Sequence, residues 1–144
     1  MLIRSVLEQK ACRLITIGPA ATVKEALGEF VEHNIGSLPV VDDSGNLIGI
    51  FTERDVLYGD HRDPEQFHRQ CIREVMTPSP ITCAPDDAVH AVMGTMSQNK
   101  VGQLPVVEDG VVVGMVSVGD LIKSLYDHVE ASNQQLTAYL YGPG

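Results

Sequence analysis

The 144-residue sequence is poor in basic residues and has no long apolar run. Lys and Arg number 10 against 19 Asp and Glu, which gives a formal net charge of −9. Nucleic acids and anionic membranes bind basic surfaces, so this charge argues against both as partners. A membrane span needs about 18 consecutive apolar residues, and none is found. The first residues also lack the apolar core and cleavage site of a signal peptide.

Cysteine is scarce as well, and tryptophan is absent. The three cysteines, Cys12, Cys71 and Cys83, are odd in number and far apart, with no Cys-x-x-Cys pair. Zinc sites and disulfide frameworks normally show closer or paired spacings. We therefore expect free thiols and a cytoplasmic protein.

The most informative feature of the sequence is an internal duplication. Gly-Ser-Leu-Pro-Val-Val-Asp-Asp at 36–43 returns as Gly-Gln-Leu-Pro-Val-Val-Glu-Asp at 102–109, with six of eight positions identical. Each copy is followed by Gly-apolar-apolar-[Thr/Ser]-x-x-Asp, which ends at Asp55 and Asp120. A repeat at a fixed spacing indicates two similar structural units.

Each unit opens with Ile-Arg-x-Val, at 3–6 and 72–75, which we interpret as a short helix and call the helical lead. The pattern that follows predicts strand, helix, strand, strand and helix. The first strands are expected at residues 14–17 and 81–83. Thr22 and Glu25 have the spacing of a capping box, and Asp86 or Asp87 is expected to cap the equivalent helix. The turn Asp109-Gly110 predicts a two-residue hairpin. Because the strands are almost continuously apolar, both faces of each sheet should be covered, which gives a mixed α/β (α+β) fold.

Two further segments complete the predicted organisation, with boundaries at 1–58, 59–71, 72–125 and 126–144. The connecting segment at 59–71 is polar and predicts a surface loop or short helix. After Ser117 one helical pattern runs to about Leu140, and Gly-Pro-Gly at 142–144 should end it. Its apolar stripe extends past the second unit and requires a partner surface, for which a second copy of the chain is the simplest candidate.

The duplicated motifs resemble a tandem pair of cystathionine-β-synthase (CBS) domains over about residues 3–125. The tail after Lys123 resembles the extra C-terminal helix of small stand-alone bacterial CBS proteins. The resemblance implies two β-α-β-β-α repeats packed with pseudo-twofold symmetry around two clefts, in a homodimer. It also implies binding of an adenosine-containing ligand: AMP, ADP, ATP, NAD(H) or S-adenosylmethionine.

Carried over residue by residue, the resemblance implies two composite sites. One joins Thr52 and Asp55 to the other repeat's Ile81, Thr82, Val101 and Gly102. We add the neighbouring Arg54 and Gln103 to the candidate ligand-binding residues of this site. The second joins Ser117 and Asp120 to Ile15, Thr16, Ile35, Gly36 and Ser37. An ionised carboxylate can accept hydrogen bonds from both ribose hydroxyls. Free amides at a helix N-terminus suit a phosphate, and glycine lets the backbone approach the base.

A purely structural role for the same residues, as helix caps, is an open alternative. Thr52-x-x-Asp55 and Ser117-x-x-Asp120 also have the spacing of capping boxes at the start of a helix. Capping and ribose binding can coexist, because the cap uses the hydroxyl group. Arg54 could reach phosphate oxygens or be a solvated charge at the helix start.

The second site departs from the family pattern in its charge. Many related proteins place Arg or His where this chain has Gln103, and Gly119 stands where the first unit has Arg54. We therefore expect the Ser117/Asp120 cleft to be poorer in positive charge. A mononucleotide in one site, or a ligand with less phosphate charge, is then favoured over ATP in both.

Three functions are compatible with these patterns. The first is a non-catalytic sensor that binds an adenine nucleotide or NAD(H) and signals to a separate, unidentified target protein. The second is a dimerisation or protein-interaction module without a ligand. An enzyme is the third, and we expect none, because no nucleophile–base set, metal-ligand cluster or phosphate-binding glycine loop is recognisable.

Overall fold

The computed structural model describes residues 1–10 and 13–141, and it contains two antiparallel sheets surrounded by helices. The helices are α1 Ile3–Gln9, α2 Val23–His33, α3 Glu53–Arg62, α4 Pro64–Arg69, α5 Ile72–Val75, α6 Val89–Asn99 and α7 Val118–Tyr141. The strands are β1 Ser37–Val41, β2 Leu47–Thr52, β3 Thr77–Pro78, β4 Gln103–Glu108 and β5 Val111–Ser117. Strands β1, β2 and β3 form one sheet, and β4 and β5 form the other. The predicted mixed fold with two repeats and a C-terminal helix is confirmed.

The duplicated motif forms the same hairpin twice. Strand β1 pairs antiparallel with β2, and β4 with β5, each with a register shift near the end of its first strand. Asp109 and Gly110 both have positive φ, at 54° and 81°, as a tight type I′ turn requires. The hairpins predicted from the sequence are therefore confirmed.

The first strand predicted in each repeat, at 14–17 and 81–83, is wrong in its length, because it is reduced to a single paired residue. Only Ile17 and Cys83 pair, each through one parallel bridge, to Val40 and Val106. The amide of Ile17 donates to the carbonyl of Pro39, and its carbonyl accepts from the amide of Val41. The next step of this ladder would need an N–H from Pro39, which proline lacks. Pro105 occupies the same place in the second repeat, so both ladders stop after one residue.

The short helix that begins each repeat, α1 in the first and α5 in the second, packs on the other repeat. The amide of Ile3 donates to the carbonyl of Asp87 at 2.9 Å, and the amide of Ile72 donates to the carbonyl of Ala21 at 2.8 Å. Accordingly α1 from the start of the chain packs in the core cluster of the second repeat, through Ile3 and Val6. The α5 residue Ile72 packs in the cluster of the first repeat. Each core is therefore completed by a lead from the other half of the chain.

Helix capping differs between the repeats. Thr22 and Glu25 form the predicted capping box at the start of α2, with distances of 3.2 and 3.3 Å. The predicted Asp86 or Asp87 cap of α6 is wrong, because Ala88 is the N-cap residue and makes no side-chain cap. Instead the first amide of α6, from Val89, donates to the carbonyl of Met1. The exchanged N-terminal segment thus supplies the acceptor.

The connecting segment contributes a core residue that its polar composition did not indicate. The predicted short helix is present as α4, but its Phe67 is 3% exposed. Its ring lies 6.3 Å from that of Phe51, which in turn stacks on Phe30 at 5.8 Å. These three rings form the centre of the first core.

The long C-terminal helix predicted from the sequence is present as α7. Its two halves differ in how exposed their side chains are. Leu121 and Ser124 are buried against the second repeat, whereas every residue from 126 to 141 is exposed. The expected Gly-Pro-Gly stop at 142–144 and the expected free thiol of Cys12 lie outside the described residues. Within the described residues, no helix combines the length and apolar character that crossing a membrane requires.

Candidate functional site

The first candidate site, which we call the Asp55 cleft, lies where β2 passes into α3. Thr52 caps α3, because its hydroxyl accepts a hydrogen bond from the amide of Asp55 at 3.3 Å. In return Asp55 Oδ2 accepts from the amide and the hydroxyl of Thr52 at 2.9 and 3.2 Å. Its other oxygen, Oδ1, accepts from the hydroxyl of Thr77 at 3.3 Å. The predicted capping role is therefore present, and it holds the carboxylate at the edge of the cleft.

The Asp55 cleft has a volume of about 440 Å³, within the size range of small-molecule sites. Its lining includes seven of the eight residues predicted for this site: Thr52, Arg54, Asp55, Ile81, Val101, Gly102 and Gln103. Residues that sequence reasoning did not assign to it include Glu53 and Ser79. Lys100, three positions before Gln103 in the sequence, also lines it. The site therefore combines the helix start of one repeat with the strand-edge residues of the other.

The second candidate site, the Asp120 cleft, repeats this arrangement where β5 passes into α7. Ser117 caps α7, with its hydroxyl accepting from the amide of Asp120 at 3.1 Å. The cleft has a volume of about 330 Å³. Six of the seven residues predicted for it line its wall: Ser117, Asp120, Ile15, Ile35, Gly36 and Ser37.

The two predicted residues that the structure does not place in either cleft are Thr16 and Thr82. Both side chains are exposed, and they occupy equivalent places in the two repeats. Side chains alternate in direction along an extended segment. Since Ile17 and Cys83 point into the core, Ile15 and Ile81 share their side and the intervening threonines face away.

The expectation of low positive charge in the Asp120 cleft is wrong. Lys10 and Arg13 line this cleft together with Asp120, so two cations face one carboxylate. The Asp55 cleft has Arg54 and Lys100 against the carboxylates of Glu53 and Asp55. The exchange of the helical leads explains the error, because Lys10 follows α1 and is 110 residues from Asp120.

Lys10 contacts Asp120 directly. Its Nζ donates to Asp120 Oδ2 at 2.8 Å and to the carbonyl of Met115 at 2.9 Å. Burial by itself would raise the pKa of Asp120. The hydrogen bond from Lys10, the bond from the Ser117 amide and the charge of Lys10 outweigh burial, and the pKa is lowered. Within the described residues, the hydrogen bonds to this carboxylate all reach Oδ2.

A hydrogen bond between Ser37 and Gln103 lies between the two clefts. The hydroxyl of Ser37 donates to Oε1 of Gln103, its equivalent in the second repeat 66 positions later. Ser37 is 5% exposed, and Gly36 and Gln103 line both clefts. The partition between the sites is therefore shared by both repeats.

A family model settles the classification of this architecture. The CBS domain model matches residues 10–61 and again 72–127. The chain belongs to the CBS-domain family. Uncharacterized protein MJ1225 of Methanocaldococcus jannaschii is 31% identical over 91% of this chain, and the chain spans 47% of that protein. The CBS domain-containing protein YhcV of Bacillus subtilis is 30% identical, over 81% of this chain and 82% of YhcV.

Solved structures of CBS proteins share the fold. The CBS-domain protein ATU1752 of Agrobacterium tumefaciens has a TM-score of 0.80 and 29% identity, over 86% of this chain and 92% of that one. The CBS domain pair of MJ0100, in complex with 5′-methylthioadenosine and S-adenosyl-L-methionine, has a TM-score of 0.75 and 31% identity. That match covers 89% of this chain and 97% of the pair. CBSX2 in complex with AMP has a TM-score of 0.71 and 26% identity, over 79% of this chain and 88% of that one.

Proposed function

We propose that this CBS-domain protein is a non-catalytic sensor that binds an adenosine-containing ligand in the clefts between its repeats. The ligand is an adenine nucleotide (AMP, ADP or ATP) or NAD(H). The observation that carries the proposal is the duplicated capped carboxylate. Asp55 and Asp120 are each fixed at a helix start of one repeat, opposite a glycine and apolar wall from the other. The adenosine ligands of the MJ0100 pair and of CBSX2 support the same ligand class.

Each part of such a ligand has a suitable counterpart in the Asp55 cleft. The carboxylate of Asp55 would accept hydrogen bonds from the ribose hydroxyls. Ile81 and Val101 provide apolar walls for the adenine, and Gly102 leaves open space where a side chain would otherwise stand. Arg54 and Lys100 are the cations available for phosphate oxygens.

The Asp120 cleft would bind the ligand somewhat differently. Lys10 holds Oδ2 of Asp120, so the ribose hydroxyls would use Oδ1 unless Lys10 turns towards a phosphate. Lys10 and Arg13 together can neutralise phosphate charge, so the Asp120 cleft is suited to phosphorylated ligands as well.

Signalling would follow from a difference in ligand affinity between two arrangements of the repeats or of two chains. We infer a cytoplasmic homodimer that acts on a target protein whose identity is open. The sparse, unpaired cysteine pattern supports the location. The target would read the relative orientation of the repeats.

Thermal unfolding of ligand-stripped protein with AMP, ATP, NADH and S-adenosylmethionine tests this function. A ligand at a hundredfold excess over its Kd stabilises the native state by about 2.7 kcal/mol. Asp55→Ala and Asp120→Ala should each lower the ligand-induced shift at its own cleft. Both also weaken a helix cap, so each shift is measured against the same variant without ligand. Asp127→Ala, an exposed position on α7, is the matched control.

Two results would count against the sensor. One is no shift with any ligand of the panel. The other is a shift that survives in the double variant Asp55→Ala/Asp120→Ala. The first result, with an intact dimer, would favour the ligand-free dimerisation module. The second would mean that the ligand binds without either carboxylate, which would refute the assigned sites.

A further inference from the structure

The exposed stripe of α7 follows a seven-residue repeat. Its positions alternate in spacing between four and three residues, which is the pattern of the a and d positions of a coiled coil. The stripe consists of Ile122, Tyr126, Val129, Asn133, Leu136 and Leu140. Its five apolar side chains are between 53% and 63% exposed. A heptad stripe left this exposed indicates a helix without its partner.

The stripe is separate from the face by which α7 packs on its own domain. The buried face of α7 contains Leu121 and Ser124, and Leu125 packs against the same core. At about 100° of rotation per residue, the centre of the stripe lies roughly 100° around the helix from that face. From Ile122 to Leu140 it extends about 27 Å. A second helix can therefore lie along the stripe without displacing the domain contacts.

Asn133 determines which partner and which orientation fit best. It is the one polar residue in the stripe. In a parallel pair of identical helices, a positions face a positions, so two Asn133 side chains meet and can hydrogen-bond to each other. In an antiparallel pair, a positions pack against d positions. Asn133 would then face Val129 or Leu136, and its amide would lose water without gaining a partner.

The residues that flank the stripe are compatible with the parallel pair. In that arrangement the g positions of one helix approach the e positions of the other. The g positions Leu125 and Ser132 carry no charge and would meet Glu130 and Thr137. Like charges therefore do not face each other along the flanks.

We propose that residues 122–140 pair with the same residues of a second copy as a parallel, two-stranded coiled coil, with Asn133 facing Asn133. The pairing goes beyond the ligand-binding function and does not depend on it. It would place both cleft-bearing modules at the same end of the coiled coil, related by a twofold axis along it.

Analytical ultracentrifugation of the full chain tests the interface. The unchanged chain and Gln135→Glu, which adds the same charge outside the stripe, should sediment as dimers. Leu136→Glu should weaken the dimer roughly tenfold or more, because it buries two carboxylates at a d layer. Circular dichroism confirms that each variant keeps its fold. A monomeric unchanged chain, or a Leu136→Glu dimer as tight as the control, would overturn the proposal.

Cysteine crosslinking tests the orientation. Mild oxidation of Asn133→Cys should join two chains through position 133, and peptide mass spectrometry distinguishes this link from any made by native cysteines. Ala131→Cys, on the outer face of the helix, should not form such a link. A folded Asn133→Cys dimer that fails to crosslink would exclude the parallel register. Leu136→Glu should still bind the adenosine ligand, so failure of the coiled coil and failure of the sensor are distinguishable.

Discussion

The ion pair between Lys10 and Asp120 links the start of the chain to the start of α7, and its strength can be predicted. Lys10 Nζ lies 2.8 Å from Asp120 Oδ2, and the two side chains are 25% and 26% exposed. Fully exposed pairs contribute about 0–1 kcal/mol, whereas hydrogen bonds to charged groups contribute about 1.5–3 kcal/mol. Partial burial places this pair between those limits, so we expect a coupling free energy of about 1–2 kcal/mol.

A double-mutant cycle with Lys10→Met and Asp120→Asn measures that coupling. Urea unfolding of the four proteins at neutral pH yields each free energy of unfolding, and the cycle isolates the pairwise contribution. Lys10→Met keeps the aliphatic stem, and Asp120→Asn keeps the size of the side chain. A coupling below about 0.5 kcal/mol would refute the inference that partial burial strengthens this pair.

The pH dependence of the same cycle gives a second, independent check. The pKa of Asp120 is lowered in the folded state, so its ionised form contributes stability above the unfolded-state pKa of about 3.9. That contribution is lost as the pH falls through the lower, folded-state pKa. The coupling should therefore be constant near neutrality and disappear in acid. A coupling that persists unchanged at strongly acidic pH would contradict the assignment of the charge to Asp120.

Three further predictions concern stability and are read out by urea or thermal unfolding. Phe67→Ala should cost about 3–5 kcal/mol, because it removes a buried ring from the first core, and a loss below 1 kcal/mol would contradict that placement. Gly59→Ala should destabilise by about 1–3 kcal/mol, since the new Cβ would collide with the ring of Phe67. The matched change Gly94→Ala meets no atom within 4 Å and should stabilise by about 0.4–1 kcal/mol, so equal effects would refute the packing argument. Ser37→Ala should cost about 0.5–1.5 kcal/mol, the net contribution of one hydrogen bond, because Gln103 is only half-buried, and a neutral effect would count against that bond.

Local patterns in the sequence were sufficient for much of the fold. The hairpin at Asp109-Gly110 and the capping box of Thr22 and Glu25 follow from residues within a few positions of one another. The duplication then places Asp55 and Asp120 in equivalent positions. The composition of the two clefts was predicted from the resemblance to CBS domains, and alternation along the extended segments explains why Thr16 and Thr82 lie outside them.

The errors arose where a distant segment replaced a local interaction. The cap predicted at Asp86 or Asp87 is absent because the carbonyl of Met1 reaches the first amide of α6. The charge of the Asp120 cleft was underestimated because Lys10 comes from the other end of the chain. Neither contact has a spacing or a period that sequence reasoning could recognise.

The sequence by itself determined the two-unit architecture, the hairpins, the long C-terminal helix and the two acidic residues at helix starts. Each of these depends on periodicity, turn chemistry or duplication, all of which act between near neighbours. The tertiary structure alone decided the exchange of the helical leads, the burial of Phe67 and the pairing of Lys10 with Asp120. These features depend on which apolar surfaces meet when the two repeats pack, and residues so far apart in the chain carry no local mark of that contact.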